Sequence, residues 1–150
     1  FELLIDTSLE KAQYFASLIE QQKDFEVITH PELCLLTYRY IPADIKAALT
    51  KASAEQVAAV TPALNALTRF IQKSQRESGK SFVSRTKLTP AQYHHEPTVV
   101  FRTVLANPLT TETMLQEILR EQRDIAAQAP RLRGELRKAA LEAGLISLNS

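Results

Sequence analysis

Apolar residues recur at helical spacing through residues 1–22. Ile5, Leu9, Ala12, Ala16 and Ile19 fall on one stripe, and Leu4, Phe15 and Leu18 widen it. A stripe that broad predicts a helix seated against two neighbours or in a deep groove. The period then shortens, and residues 25–30 and 33–41 read as two strands. They are joined at Pro31-Glu32, where proline has no N–H to give to a ladder, so the pair predicts an antiparallel hairpin.

From residue 43 to 78 the helical period returns, first with Ile45 and Leu49, then with Val57, Val60, Leu64, Leu67 and Ile71. Ser53 followed by Gln56 reads as a capping box. Pro62 predicts a kink, or a restart with Thr61 as cap, since an interior proline removes one helical hydrogen bond. Gly79 ends the helix, and 81–88 alternates Phe82, Ser84, Thr86 and Leu88 against Val83, Arg85 and Lys87, as a half-exposed strand does. Residues 89–97 read as a loop, and 98–106 as a strand apolar on both faces, hence covered on both. Asn107-Pro108 ends it. Thr110 can cap the next helix, with Leu109 and Met114 as a hydrophobic staple. Helix 111–128 carries Leu115, Ile118, Gln122 and Ile125 in line, and Pro130 separates it from a helix at 131–143 that Gly144 terminates. This order predicts an α+β fold: a two-layer domain with an antiparallel sheet of about four strands and helices on one face.

Composition narrows the class. With 45% hydrophobic residues and 3 glycines in 150 residues, the chain reads as one globular domain, neither repetitive nor disordered. A net charge of +1 leaves no electrostatic footprint for nucleic acid, and no apolar run approaches a membrane span. Cys34, the single cysteine, sits among leucines and can form no internal disulfide, which predicts a reducing, cytoplasmic setting. The first residue is Phe1, with no basic leader after it, which predicts a piece of a longer chain.

Arg102 interrupts the apolar strand 98–106, and a guanidinium buried there needs a carboxylate or phosphate of good geometry. The strand pattern alone leaves two partners open, an internal Asp or Glu and an external anion. Arg102-Thr-Val-Leu-Ala-Asn-Pro108 follows Leu36-Thr-Tyr-Arg-Tyr-Ile-Pro42 and Ser81-Phe-Val-Ser-Arg-Thr-Lys-Leu88. In that order the three patches resemble the C-terminal end of group II pyridoxal-phosphate-dependent amino-acid decarboxylases, those acting on glutamate, aspartate or 2,4-diaminobutyrate.

The resemblance implies that residues 1–150 are the C-terminal small domain of a fold-type I pyridoxal-phosphate enzyme, with 1–22 as the connecting helix from a missing N-terminal large domain. It implies a lyase (a carboxy-lyase) of amino-acid metabolism that acts on a small amino-acid substrate, as a homodimer. Arg102 matches the family's substrate-carboxylate arginine, and a planar fork suits that role as a lysine does not. The same likeness places pyridoxal phosphate and the lysine that forms its Schiff base in the large domain. The family's His-Lys dipeptide occurs nowhere in this sequence, so no catalytic and no cofactor-binding residue is expected in this fragment, which alone should be inactive.

Other chemistry is thin. There is no Gly-rich phosphate cradle, no Ser/His/Asp order and no Cys/His metal spacing. Arg39 and Arg85 lie in the family-like patches, but ion pairing on the sheet is their expected role. His94 and His95 are adjacent in a loop, with no third ligand for a metal. Arg120, Arg123, Arg131, Arg133, Arg137 and Lys138 alternate with Glu117, Glu121, Asp124 and Glu135, the pattern of wet helix faces. A second function class stays open: a non-catalytic α+β regulatory or protein-interaction module that binds an anion at Arg102.

Overall fold

The computed structural model describes residues 2–32, 34–79, 83–105 and 110–148, and for 2–8 and 32 the backbone alone. Among these residues, in chain order, are five α-helices and four strands: α1 Glu2–Glu20, β1 Phe25–Glu32, β2 Leu35–Tyr40, α2 Ala43–Leu49, α3 Ala54–Ser78, β3 Ser84–Leu88, β4 Thr98–Val104, α4 Glu112–Ala127 and α5 Pro130–Glu142. The strands form one antiparallel sheet in the order β1-β2-β4-β3. The α+β, two-layer fold read from the sequence is the fold observed.

One sheet face carries the core. Tyr38 of β2 is fully buried, with the rings of Phe15, Phe25 and Phe101 at centroid distances of 5.3, 6.3 and 5.1 Å. Helix α1 reaches it with Ala12, Phe15, Ala16 and Ile19, the predicted stripe; Leu4 and Ile5 lie outside the described side chains. Helices α3 and α4 complete the layer, and α5 packs on α3. Inside this apolar core runs a short polar chain, in which the Tyr38 hydroxyl donates to Gln122 Oε1 (2.9 Å) and Gln122 Nε2 donates to Gln75 Oε1 (3.0 Å). A buried hydroxyl needs such a partner, which explains why Gln122 sits on the apolar stripe of α4. Burial pushes the Tyr38 pKa far above its ordinary value, opposed in part by the bond to Gln122.

Several boundaries differ from the sequence reading. Strand β1 continues through Pro31 to Glu32, past the predicted turn, because β1 is an edge strand on which a missing N–H costs no ladder bond. Helix α3 runs unbroken through Pro62 and does not restart there. Ala58 and Pro62 are both exposed, so water can serve the carbonyl that proline leaves unbonded, while Thr61 Oγ1 donates back to Val57 O at 2.7 Å. The expected capping box at Ser53 and Gln56 is present in both directions, and Gly79 closes α3 at φ +72°. Thr111, not Thr110, caps α4, accepting from Met114 N at 3.2 Å. Phe82, Ala106, Asn107-Pro108 and Leu109 fall outside the described residues. Among the described residues no helix is long and apolar enough to cross a membrane.

Candidate functional site

The second face of the sheet, away from the helices, carries Arg102 and Arg39. Strand alternation puts Arg102 on this face with Val100 and Val104, opposite to Phe101 and Thr103. Register then sets Thr37 of β2 directly across from Arg102 on one side and Ser84 of β3 on the other. Residues so opposed share a face, with Cβ atoms about 4.5–5.5 Å apart. A row of side chains therefore crosses the sheet: Thr29, Thr37, Arg102, Ser84.

This face divides into a closed half and an open half. At the closed end Glu26 and Arg39 are cross-strand partners, with Arg39 Nε donating to Glu26 Oε1 at 2.6 Å. Arg39 is only 1% exposed. Its lid is Tyr93, in a single 3₁₀ turn at Ala91–Tyr93, whose ring stands 4.7 Å from the guanidinium carbon. The Tyr93 hydroxyl donates to the other carboxylate oxygen of Glu26. Burial raises the Tyr93 pKa strongly, and the neighbouring Glu26 carboxylate raises it further. The 89–97 connection, read as a loop, thus covers part of the face opposite the helices.

At the open end Arg102 is exposed and Val104 is 42% exposed. The Arg102 guanidinium has no hydrogen bond or ion pair among the described residues, although its carbonyl accepts from Ser84 Oγ at 3.3 Å. Arg102 is therefore exposed, not buried as the strand pattern led one to expect. The internal carboxylate that would have neutralised it is not found among the described residues.

The other candidates lie apart from the row through Arg102. Arg39 pairs as expected, but inside the fold rather than on its surface. Arg85 is exposed on the edge strand β3, opposite Phe101, without a partner among the described residues. His94 and His95 both adopt left-handed backbone (φ 55° and 61°), a region histidine tolerates better than most residues. Their rings lie 3.3 Å from Ala52 O and 3.2 Å from Thr89 O, and the described residues hold no group of three metal-ligating side chains. On the outer helices Arg123 forks onto Asp24 (2.6 and 2.8 Å), Arg137 meets Asp44 (2.8 Å), and Arg120 and Arg131 approach Glu117 and Glu135.

Sequence reasoning missed Glu26, Tyr93 and Thr37. The Glu26–Arg39 pair was within reach once the hairpin register was drawn. Tyr93 carried no periodic signal.

The described residues around Arg102 do not make a pocket for pyridoxal phosphate. Arg102 is the one described cation of the open half, and Lys87 of β3 pairs with Val99 on the opposite pleat, so no described lysine stands beside it.

No family model matches the chain. In sequence, 129 residues, 86% of the chain, are 63% identical to an aspartate 1-decarboxylase of Aliivibrio fischeri, of which they span 24%. The fold superposes on mouse CSAD in its apo form with a TM-score of 0.66, at 17% identity over 83% of this chain and 24% of that one. Oryza sativa TDC, solved with PLP and tryptamine, superposes with a TM-score of 0.57 at 17% identity over 83% of this chain and 23% of that one. The chain thus spans about a quarter of the length of the proteins it matches.

Proposed function

Starting from a chain that resembles the group II pyridoxal-phosphate-dependent amino-acid decarboxylases in sequence and in fold, we propose that it is the C-terminal small domain of an L-aspartate-class decarboxylase. Its part is to supply one wall of the active site and an arginine that holds a substrate carboxylate. One observation supports the role of Arg102 above all: an exposed guanidinium at the centre of an open sheet face with no partner among the described residues, in a chain whose buried Arg39 is paired with Glu26. The 63% identity to an aspartate decarboxylase favours aspartate over glutamate and 2,4-diaminobutyrate, and favours an enzyme over an anion-binding module.

On this reading the rest of the protein, including an N-terminal large domain joined through α1, lies over the open half and carries the cofactor. Pyridoxal phosphate, when bound, supplies the electron sink for the carbanion left as carbon dioxide departs. This chain binds and orients. The Arg102 fork receives a carboxylate through two parallel N–H bonds, in a site made drier and less polarisable by the covering domain, where such a bond is stronger than in water. The reading extends to a cytoplasmic homodimer.

Two substitutions in the intact parent protein test the clamp. Arg102→Lys keeps the charge and loses the fork, and Arg102→Ala loses both. Each should weaken L-aspartate use by roughly 2–5 kcal/mol, the range for truncating one partner of a buried charge pair, with cofactor absorbance and melting temperature retained. Unchanged kinetics in both variants overturn the assignment.

A further inference from the structure

The row across the open face contains a second group without an assigned role. Thr37 stands directly opposite Arg102, on the same pleat, and is only 5% exposed. Register between β1 and β2 slips between Val27 and Thr29, and the Thr29 backbone N–H turns to Thr37 Oγ1 at 3.0 Å. That bond uses the hydroxyl oxygen as acceptor. A threonine hydroxyl carries one donor hydrogen besides, and in Thr37 it meets no acceptor among the described residues. A nearly buried O–H, already polarised by an incoming N–H, is therefore left over beside an arginine that has no anion among the described residues.

We propose that Thr37 is a specificity-determining residue for the carboxylate that Arg102 receives, donating its hydroxyl hydrogen to the same anion. This rests on the clamp role of Arg102 proposed above and adds a second donor to it. The division of labour follows from the chemistry. The guanidinium supplies charge and a planar fork, while the hydroxyl fixes how far along the sheet the carboxylate sits, because its oxygen is anchored to β1 through Thr29. The ligand class is a compact aliphatic carboxylate, since a donor on so short a side chain reaches only a group lying against the strand. The β1 bulge is part of the device: the N–H it redirects occupies the hydroxyl oxygen and leaves only the hydrogen to give.

Steady-state kinetics of the intact enzyme with L-aspartate decide the matter, on Thr37→Val, Thr37→Ser, Arg102→Lys and the Thr37→Val/Arg102→Lys double variant. A hydrogen bond to a charged group predicts that Thr37→Val raises KM about tenfold with kcat within about twofold. Thr37→Ser should restore KM to within about threefold, and the double variant should lose less than the product of the two single losses, as groups sharing one anion do. Should the valine protein fail to accumulate, Thr37→Cys, a weaker donor of similar size, is read the same way: a raised KM supports the proposal and an unchanged one overturns it. A Thr37→Val enzyme with lowered stability and kcat but an unaltered KM marks a structural threonine and overturns this proposal alone, provided Arg102→Lys still raises KM. If Arg102→Lys leaves KM unchanged, or the parent does not decarboxylate L-aspartate, the reading of the site falls and this inference with it.

Discussion

Arg39 and Arg102 share one face of one sheet and meet opposite fates. Arg39 is roofed by an aromatic ring and bonded to a carboxylate from the neighbouring strand. Arg102 faces outward with hydroxyls on both flanks and no counter-charge among the described residues. The difference teaches where a fold spends its charges: a guanidinium that stabilises the domain is neutralised within it, whereas one kept for another molecule must be left unneutralised until that molecule arrives. A stability measurement and an activity measurement should therefore rank the two arginines in opposite order.

The largest expected effect lies in the closed half. Glu26→Ala strands the Arg39 guanidinium under Tyr93 and should destabilise the protein by about 3–5 kcal/mol, the cost of breaking a buried pair by removing one partner. Urea or thermal unfolding measures it, and a loss below about 1 kcal/mol would mean that the pair is solvated in solution.

An alkaline titration sharpens the same contrast. The pKa of Tyr93 is raised in the folded state, above the ordinary value of 10.0, so the unfolded chain releases its proton first. Its contribution is fully present below pH 10 and is lost as pH rises through the folded pKa. Stability should thus fall above about pH 10, and Tyr93→Phe should flatten part of that fall; Tyr38, raised for the same reason of burial, contributes another part. A Tyr93→Phe protein with the wild-type alkaline slope would place the ring outside the closed half.

The smallest effect belongs to the open half. Arg102→Ala should change unfolding stability by no more than about 0.5 kcal/mol, as exposed substitutions without partners do. A loss of several kcal/mol would reveal a hidden internal carboxylate and erase the distinction between the two arginines.

Much of this architecture was legible in the residues. The broad stripe of α1, the capping box of α3, the alternation of β3 and the continuous apolar run of β4 are local patterns with periods of 3.6 or 2, and each folded as its period required. The misreadings come from context that periodicity does not carry. Pro31 is tolerated because β1 lies at the sheet edge, and Pro62 because the carbonyl it orphans faces water. The site was half legible: β4 announced Arg102 by being otherwise apolar. Thr37 reaches it only because β2 pairs with β4 across a long stretch of intervening chain, and Tyr93 reaches Glu26 from 67 residues away, out of a segment with no period at all.

Pro31 has one more effect. An edge strand with a full set of free N–H groups is a template on which a foreign strand can dock and the sheet can grow without limit, the route to fibrils. At the β1 border that template is missing a rung and bent by the bulge at Val27–Thr29, and at the β3 border it is five residues long and carries Arg85 and Lys87. Both margins of the sheet are therefore poor seeds, so that its open face can await a partner while its borders resist recruiting one by backbone pairing.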